Sequence, residues 1–465
     1  CFKAFDAIIT TRGIEKIKTI GDAYMAAGGL PRKVASGVGD VVQAALDMQD
    51  FMLKRKADRT ALGKPAFDSW LTELNLVKDE AAHALKHLGG WAKPTKHSVP
   101  LVVQPAKAWT EPQPLGVVLI IAPWNYPLQL LLAPAVAALA AGNTMVLKPS
   151  ELAPATSAAV AELVPKYLDV DAVTVVEGGV PETTELLAQE WDHILYTGST
   201  RVGQVVMEAA AKHLTPVTLE LGGKSPTIIA ADADLKVAAK RVAWAKILNA
   251  GQTCIAPDYL LVERSVSDEF AALVVDELST FRDKAPATSI VNEHHLDRLE
   301  GLLDGHGGEE LMPRKTDRDS RVMAPVVVRQ PDPSSAVMQE EIFGPILPMI
   351  TVDSIGDAIA FVRARPRPLA LYLFTSSRAT ERKVLDQTHA GSVCINHLVY
   401  QAAVTDLPFG GIGPSGMGAY HGKAGFTTFS HTKSVLKRPT RMDPGFAYPP
   451  YTDQIQKVLK FLTRW

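Results

Sequence analysis

The sequence predicts an α/β fold built on a doubly wound, mostly parallel sheet. From about residue 115 the chain repeats short apolar runs rich in β-branched residues, such as LGVVLIIAP and TMVLKP. These runs are continuous rather than alternating, which is typical of strands covered on both faces. Segments of strong helix formers separate the runs. An alternation of strand and helix places successive strands parallel in one sheet.

The individual elements follow this pattern in chain order. The first region is predicted to hold the strands LGVVLIIAP, TMVLKP, AVTVVEGG, HILYTG and VTLELGG and the helices LQLLLAPAVAALAAG, TSAAVAELVPKYL, PETTELLAQE and VGQVVMEAAAKHL. A second α/β region is predicted, with helices near 235–250 and 267–282 and strands near 258–263, 370–374 and 391–395. Residues 283–323 are polar, and we expect them to form exposed helix and loop away from the chemistry.

Size and composition indicate a globular protein of two or three domains. The chain has 465 residues, of which 47% are apolar and 21% are charged. The net charge of −2 gives no reason to expect a nucleic acid or an anionic surface as partner. The longest apolar run, residues 128–142, is too short to span a bilayer. Three cysteines cannot form a disulfide framework and match no zinc pattern, so we expect a reducing, cytoplasmic setting.

A glycine-containing turn between a strand and a helix is the first candidate for ligand binding. In GSTRVG, Gly198 precedes Ser199, and Gly203 lies in the first turn of the predicted helix. Glycines let the backbone approach a ligand, and a helix N-terminus favours a pyrophosphate. The middle glycine of a dinucleotide fingerprint is missing, so a tight strand-to-helix turn explains the spacing equally well.

Lys148 and Glu151 stand three residues apart after another strand, so one short turn would place both on one face. A carboxylate in this position can accept hydrogen bonds from both hydroxyls of an adenosine ribose, and it would repel a 2′-phosphate. This pattern favours NAD over NADP as the cofactor. An ordinary surface pair of lysine and glutamate is the simpler alternative.

Asn125, Glu220 and Cys254 carry the groups that covalent catalysis on a carbonyl needs. The Asn125 amide follows a strand, where it can donate to an oxyanion or form an ordinary turn. Glu220 lies in an apolar strand, where burial would raise its pKa toward that of a general base; the alternative is a cap for the following Gly-Gly turn. Cys254 lies among small and polar residues in NAGQTCIAP, and Gly251 leaves the backbone free to expose its side chain; the alternative is an ordinary small core cysteine.

Together these stretches resemble the aldehyde dehydrogenase superfamily. The resemblance covers roughly residues 60–452 and rests on PWNYP, GNTMVLKPSE, YTGSTRVG, LELGGKSP, GQTCIAPD, EEIFGP and LPFGGIGPSGMG. GGVPETTELL and GMGAYHGKAGFTTFSHTKS are similar to the class-3 branch. The resemblance implies a Rossmann-like cofactor domain, an α/β catalytic domain and a small β oligomerisation arm. It also implies a homodimer that oxidises medium- or long-chain aliphatic or aromatic aldehydes with NAD, with NADP as the alternative cofactor.

The resemblance assigns roles to individual residues. Cys254 is expected to form a thiohemiacetal and then a thioester, Glu220 to activate the hydrolytic water, and Asn125 to hold the oxyanion with the Cys254 backbone N–H. The expected cofactor-binding residues are Trp124, Lys148, Glu151, Gly198, Ser199, Gly203, Glu341 and Phe343. No metal site is expected, because no carboxylate or thiol pattern completes one around His83 and His87, which stand four residues apart.

The expected organisation has five parts. Residues 1–40 are a fragment rather than a complete domain, 41–219 bind the cofactor with an arm segment near 95–113, 220–395 are catalytic, 396–452 return to the arm, and 453–465 are an amphipathic tail. The tail is expected to pack on the body rather than contact a membrane. In the 396–452 part, His397, Leu398 and Tyr400 stand where the family usually has Asp, Thr and an aliphatic residue, which leaves the substrate preference open.

Residues 1–31 do not resemble this family. They are similar to the middle of a class III nucleotidyl cyclase domain, in which Lys18 matches the purine-selecting lysine and Asp22 a metal-binding aspartate. The first metal carboxylate and the downstream catalytic residues of that motif have no counterpart here. Two alternatives to an active dehydrogenase therefore stay open: a nucleotide-signalling fusion that uses this start, and a catalytically impaired scaffold.

Overall fold

The computed structural model describes residues 15–20, 23–27, 63–284, 287–441, 448–450 and 452–462. The α-helices are α1 (Ala66–Ser69), α2 (Asn75–Trp91), α3 (Gln129–Ala140), α4 (Pro154–Tyr167), α5 (Val180–Leu187), α6 (Thr200–Ala211), α7 (Leu235–Ile247), α8 (Ser267–Lys284), α9 (Glu293–Leu302), α10 (Ala336–Gln339), α11 (Ile355–Arg363), α12 (Arg378–Gln387), α13 (Gly422–Thr428) and α14 (Asp453–Leu462). The first half of the chain contains the strands β1 (Glu15–Ile20), β2 (Ala23–Ala27), β3 (Thr95–His97), β4 (Lys107–Pro114), β5 (Val117–Ile121), β6 (Thr144–Lys148), β7 (Val173–Val175), β8 (His193–Thr197), β9 (Val217–Glu220) and β10 (Pro226–Ile229). The second half contains β11 (Tyr259–Glu263), β12 (Glu309–Glu310), β13 (Thr316–Asp317), β14 (Val322–Met323), β15 (Val326–Arg329), β16 (Ile346–Val352), β17 (Ala370–Phe374), β18 (Ser392–Ile395), β19 (Gly416–Met417) and β20 (Ser430–Lys437).

A six-stranded sheet in the order β19-β9-β8-β5-β6-β7 contains all five strands predicted for the first region. These five strands are parallel, and only β19 runs antiparallel, beside β9. The chain moves outward from β5 to β6 and β7 and then returns to place β8 on the other side of β5. Open α/β sheets bind ligands outside the carboxyl ends of their strands at such a reversal. A ligand site is therefore expected at the carboxyl ends of β5 and β8.

A seven-stranded sheet in the order β12-β15-β16-β11-β10-β17-β18 forms the second α/β unit. Only β12 is antiparallel to its neighbour. The strands expected near 258–263, 370–374 and 391–395 are confirmed as β11, β17 and β18, and the structure adds β10, β15 and β16. The expected helices near 235–250 and 267–282 are confirmed as α7, which ends at Ile247, and α8.

A third, antiparallel sheet joins distant parts of the chain. Strand β4 pairs along its length with β20, and β3 pairs with the other edge of β4. This three-stranded sheet, called the arm below, agrees with the small β arm implied by the resemblance. The large apolar side chain of Leu436 on β20 is exposed, and so are those of Leu101 and Val102 in the connection between β3 and β4.

Helix α3 is the most deeply enclosed helix next to the first sheet. Eleven of its residues are buried, including Pro134, so the run of residues 128–142 is a core helix. In the described ranges, we find no helix that is both long and apolar enough to cross a membrane. The tail forms a helix, α14, on which Val458 and Phe461 are exposed.

At the start of the chain, β1 and β2 form an antiparallel pair in which Ile20 is opposite Ala23. Most of the cyclase-like stretch, including Asp22, and the first part of the expected cofactor domain lie outside the described residues. Their organisation therefore stays a prediction.

Candidate active site

The turn before Cys254 has an unusual backbone. Asn249, Ala250 and Gly251 have φ values of 52°, 54° and 74°, so three successive residues are left-handed. At Gly251 a Cβ would lie 2.3 Å from the carbonyl oxygen of Gly344, which only glycine avoids. Asn249 Nδ2 donates to the Gln252 carbonyl at 3.1 Å, and Gln252 Nε2 donates back to the Asn249 carbonyl at 3.1 Å. These hydrogen bonds hold the strained turn that presents the thiol.

Cys254 is half-buried at the end of this turn. Burial raises the pKa of its thiol to about 12, and the nearby carboxylates of Glu341 and Glu220 add to the rise. The backbone N–H groups of Cys254 and Ile255 oppose it by stabilising the thiolate. The resting side chain is therefore a neutral thiol beside two donors that favour the charged form.

Asn125 lies just beyond the carboxyl end of β5 and is buried. Its Nδ2 donates to the Gln252 carbonyl at 3.1 Å, and its own carbonyl accepts from Asn249 Nδ2 at 3.1 Å. Next to it, the Tyr126 hydroxyl lies 2.7 Å from Thr253 Oγ1. Since an amide nitrogen carries two hydrogens, the bond to Gln252 leaves one for an oxyanion near Cys254.

Glu220 is the last residue of β9 and is only 2% exposed. Neither carboxylate oxygen has a hydrogen-bond partner among the described residues. Burial raises its pKa well above the ordinary value. Its carbonyl accepts from Gly198 N at 2.9 Å, which connects it to the GSTRVG turn. A carboxyl group kept this basic and this free of partners suits proton transfer.

Lys148 and Glu151 follow β6, as expected. The Lys148 ammonium is buried and donates to the Pro149 carbonyl at 2.9 Å, and it lies 3.5 Å from Glu151 Oε2. The Glu151 side chain is about half exposed. The pair is thus more than a surface contact, because one partner is inside the protein.

Ser199 is the N-cap of α6 at the reversal of strand order, where its hydroxyl accepts from Val202 N at 3.4 Å. The two neighbouring glycines have packing roles. A Cβ at Gly198 would lie 2.1 Å from the Tyr196 hydroxyl, and one at Gly203 would lie 2.7 Å from Leu221. Close packing therefore accounts for both glycines, and their contact with a cofactor stays a prediction.

Glu341, Phe343 and Trp124 are the remaining residues expected to bind the cofactor, and Glu341 is near enough to Cys254 to raise the pKa of the thiol. A Cβ on Gly222 would overlap Glu341 Oε2, and Glu341 Oε1 has no hydrogen-bond partner in the described part of the chain. Burial and the charge of Asp258 raise the Glu341 pKa to about 8. Phe343, at φ 51°, presents its edge to Trp124 with ring centroids 5.4 Å apart.

The expectation that residues 283–323 lie away from the chemistry is wrong. Helix α9 buries Leu296, Leu299 and Leu302, and the Gln252 side chain exchanges hydrogen bonds with the backbone of residues 289 and 291. Arg298 on this helix donates to the carbonyls of residues 341 and 342. The segment reads as polar because only one helix face is apolar.

Two further charged residues were missed from the sequence. Lys64 Nζ donates to the Asn125 carbonyl at 3.0 Å, and Glu73 Oε2 accepts from Leu128 N at 2.9 Å. Nothing in the local pattern singles them out, since both are ordinary charged residues that stand more than fifty residues before Asn125.

The arrangement fits a dinucleotide. A helix N-terminus lies at the reversal of the sheet, a buried ammonium and an accessible carboxylate lie at the next strand, and Glu341 keeps an unpartnered buried oxygen near the thiol.

For metals, we find within the described ranges no group of three or more His, Cys, Asp or Glu side chains that could hold an ion. His83 and His87 instead pack against each other and against Trp91, on which His87 stacks.

Comparisons with known proteins agree with this geometry. Residues 56–435 match the model of the Aldehyde dehydrogenase family, and residues 1–64 match that of the Adenylate and Guanylate cyclase catalytic domain. The chain is 48% identical over 381 residues to Aldehyde dehydrogenase family 3 member A2 of Rattus norvegicus, covering 80% of this chain and 77% of the relative. It is 45% identical over 406 residues to "Aldehyde dehydrogenase, dimeric NADP-preferring" of Mus musculus, covering 85% and 88%. The substrate-bound structure of Staphylococcus aureus AldH superposes with a TM-score of 0.88 at 39% identity, covering 92% of this chain and 94% of that one.

Proposed function

Since the chain belongs to the aldehyde dehydrogenase family, whose members oxidise aldehydes with NAD(P), we propose that Cys254 is its nucleophile, Glu220 its general base and Asn125 its oxyanion donor. The observation that carries this assignment is the position of the thiol. The thiol follows a strained left-handed turn, and it lies near the buried, unpartnered Glu220, which helps to raise its pKa. The Gln252 carbonyl, two residues before Cys254, accepts from the Asn125 amide, which keeps one N–H free for an oxyanion.

In the first step, Cys254 Sγ loses its proton to water and forms a bond to the aldehyde carbon. The carbonyl π electrons move to oxygen, and the resulting oxyanion accepts hydrogen bonds from the Asn125 amide and the Cys254 backbone N–H. The two backbone N–H groups beside the sulfur make its deprotonation less costly. The product of this step is a thiohemiacetal anion on Cys254.

The chemistry that NAD(P) supplies when bound is acceptance of the hydride from that carbon, which leaves a thioester on Cys254. Glu220 then takes a proton from a water molecule, and the hydroxide adds to the thioester carbonyl. Asn125 holds the second oxyanion as it held the first. Collapse breaks the C–S bond, releases the carboxylic acid and returns the Cys254 thiolate, and Glu220 passes its proton to solvent.

We assign cofactor binding to the residues at the carboxyl ends of the first sheet and around the thiol. Lys148 and Glu151 would hold the adenosine ribose, Trp124 and Ser199 would lie by the pyrophosphate with Gly198 and Gly203, and Glu341 would hold the nicotinamide ribose with Phe343 beside the ring. The half-exposed Glu151 carboxylate supports a preference for NAD, because a 2′-phosphate there would meet a like charge.

For the substrate we propose medium- or long-chain aliphatic or aromatic aldehydes. The support is an aromatic cluster at the loop after β18. His397 and Tyr400 stack with centroids 3.8 Å apart, and the ring of Trp244 on α7 is nearly perpendicular to both. This loop is connected to the nucleophile, because Gln401 donates to the Tyr372 hydroxyl, which donates to the Ile255 carbonyl at 2.6 Å.

We further propose that the enzyme is a homodimer that associates through the arm and the connection between β3 and β4, where Leu436, Leu101 and Val102 are exposed. The division at residues 219 and 395 into cofactor-binding and catalytic domains is proposed on the two parallel sheets. A cytoplasmic, reducing compartment is proposed because catalysis requires Cys254 as a free thiol.

Replacement of the nucleophile tests the central assignment. We expect Cys254→Ala to abolish aldehyde oxidation, since no other group can form the thioester, and to leave NAD binding unchanged within about twofold. Steady-state reduction of NAD and a fluorescence titration with NAD measure the two effects. Cys394→Ala, a change at the other described free thiol, serves as the control and should retain turnover. Oxidation by Cys254→Ala at a rate near that of the parent would contradict the assignment.

A further inference from the structure

A buried ion pair beneath the active site has no part in the reaction steps above. Lys64 Nζ lies 2.8 Å from Glu73 Oε1, and the two side chains are only 3% and 8% exposed. Removing two charges from water carries a large desolvation cost, which a buried pair recovers only with further hydrogen bonds. The partners of those further bonds indicate what the pair does.

The pair holds the backbone around Asn125 at two points. Lys64 Nζ donates to the Asn125 carbonyl at 3.0 Å, and Glu73 Oε2 accepts from Leu128 N at 2.9 Å. The ammonium also lies 4.2 Å from the centre of the Tyr126 ring. Only Tyr126 and Pro127 separate the two points, so one ion pair fixes the whole segment 125–128.

The opposite side of the same segment contacts the nucleophile turn. The Asn125 carbonyl that accepts from Lys64 also accepts from Asn249 Nδ2, and Asn125 Nδ2 donates to the Gln252 carbonyl. The Tyr126 hydroxyl meets Thr253 Oγ1. The Asn125 segment is therefore held between the ion pair on one side and the residues preceding Cys254 on the other.

We propose that Lys64 and Glu73 are positioning residues that hold the Asn125 amide at the place where the oxyanion forms. The inference rests on the proposed oxyanion role of Asn125. A donor stabilises an oxyanion only if it is in place before the charge develops, and misplacement by ~1 Å costs up to about 100-fold in rate. Charged hydrogen bonds from two directions limit such movement more strongly than apolar packing.

The variant that tests this is Lys64→Met combined with Glu73→Gln. Together these changes leave no unpaired buried charge, and the glutamine retains an acceptor for Leu128 N. We expect kcat per titratable Cys254 thiol to fall about 10- to 100-fold, while the dissociation constant for NAD stays within about twofold. Val384→Ala, a core change on the remote helix α12, is the control for a general loss of stability and should leave kcat per thiol unchanged.

A double-mutant cycle with Asn125→Ala separates positioning from a structural role. In the Asn125→Ala background the two changes should alter kcat by no more than about twofold, because the donor that they position is gone. An equal loss in both backgrounds, or no loss in either, would overturn the inference. If Asn125→Ala alone leaves kcat unchanged, the proposed oxyanion role fails, and the inference fails with it. If Asn125→Ala loses kcat but the Lys64→Met/Glu73→Gln variant keeps the parent's kcat, the proposed oxyanion role stands and only the positioning inference is overturned.

If the Lys64→Met/Glu73→Gln variant does not fold, Lys64→Arg provides a second test. It keeps the positive charge but alters the geometry of its hydrogen bonds to Glu73 and the Asn125 carbonyl. It should lower kcat about 2- to 10-fold, and the loss should again vanish in the Asn125→Ala background. A loss that persists in that background contradicts the proposal.

Discussion

At the residue scale, two buried acids near the thiol differ in what surrounds them. The Glu220 pKa is raised by burial alone, and neither of its oxygens has a partner in the described part of the chain. The Glu341 pKa is raised to about 8 by burial and by Asp258, while the Gly223 N–H and the nearby Lys224 and Arg298 charges oppose the rise. The first environment suits a group that exchanges protons, and the second suits a group that accepts hydrogen bonds from a bound ligand.

Glu220→Gln should separate the two halves of the reaction. The amide cannot deprotonate water, so we expect thioester hydrolysis to slow by about 100- to 10,000-fold, with hydride transfer much less affected. Stopped-flow absorbance should then show a burst of reduced cofactor, followed by slow turnover. Control measurements of NAD affinity should match the parent. A steady-state rate equal to that of the parent would instead indicate a different base.

Glu341→Gln should change how stability depends on pH. The folded-state pKa of about 8 lies above the unfolded value of 4.5, so the parent loses stability as the pH rises between these values. The neutral variant avoids this loss, and we expect its advantage in unfolding free energy to grow by on the order of 4 kcal/mol from pH 5 to pH 9. Chemical unfolding without cofactor at several pH values measures it, with the exposed Glu208→Gln as control. An advantage that is constant with pH would contradict the raised pKa.

At the element scale, the turn that presents Cys254 depends on one glycine. Gly251→Ala should destabilise the fold by more than about 2 kcal/mol, because the residue has φ 74° and its Cβ would meet the Gly344 carbonyl. Gly301→Ala is the matched control: Gly301 lies in α9, a Cβ there meets nothing within 4 Å, and stability should rise by about 0.5–1 kcal/mol. Urea unfolding of both variants checks the pair. If Gly251→Ala is as stable as the parent, the turn is not strained.

Elements were predictable from sequence where a strand is a continuous apolar run. Strands β5, β6, β8 and β9 are such runs, and the first three are each followed by a helix. Strand β10 begins with a proline, and β16 contains Pro348, so the sequence pattern of both is more typical of a loop than of a central strand. Strand β4 contains two prolines, so local pattern does not predict it. Only the family resemblance predicted an arm there, because its partner strand β20 lies near the other end of the chain.

Of the site, the sequence revealed the residues whose chemistry is unusual for their setting. Cys254 and Glu220 stand out as a thiol among polar residues and an acid in an apolar strand. Lys64 and Arg298 do not, since lysine and arginine in polar segments are ordinary. Their contacts with residues 125 and 341 come from tertiary packing, which local pattern cannot show.

At the scale of the whole molecule, the arm offers a test of assembly. Leu436→Asp places a charge on an exposed position of β20 and should shift the protein from dimer toward monomer, because desolvating the carboxylate at an interface is costly. Light scattering coupled to size exclusion measures the mass. Leu407→Asp, a change at another exposed leucine outside the arm, is the control and should remain dimeric. A Leu436→Asp protein with the parent's mass would place the interface elsewhere.

The short strand β19 has a consequence for how the protein comes into being on the ribosome. Gly416 pairs with Glu220, and Leu221 N donates to the Ser415 carbonyl at 3.1 Å, so the strand that ends in Glu220, the proposed base, is completed by residues made late in synthesis. Until then the nascent polypeptide has its thiol and its carboxamide but an open sheet edge beside the acid. We therefore expect catalytic competence only after residues 415–417 have left the exit tunnel, when the other strands of both parallel sheets have already been translated.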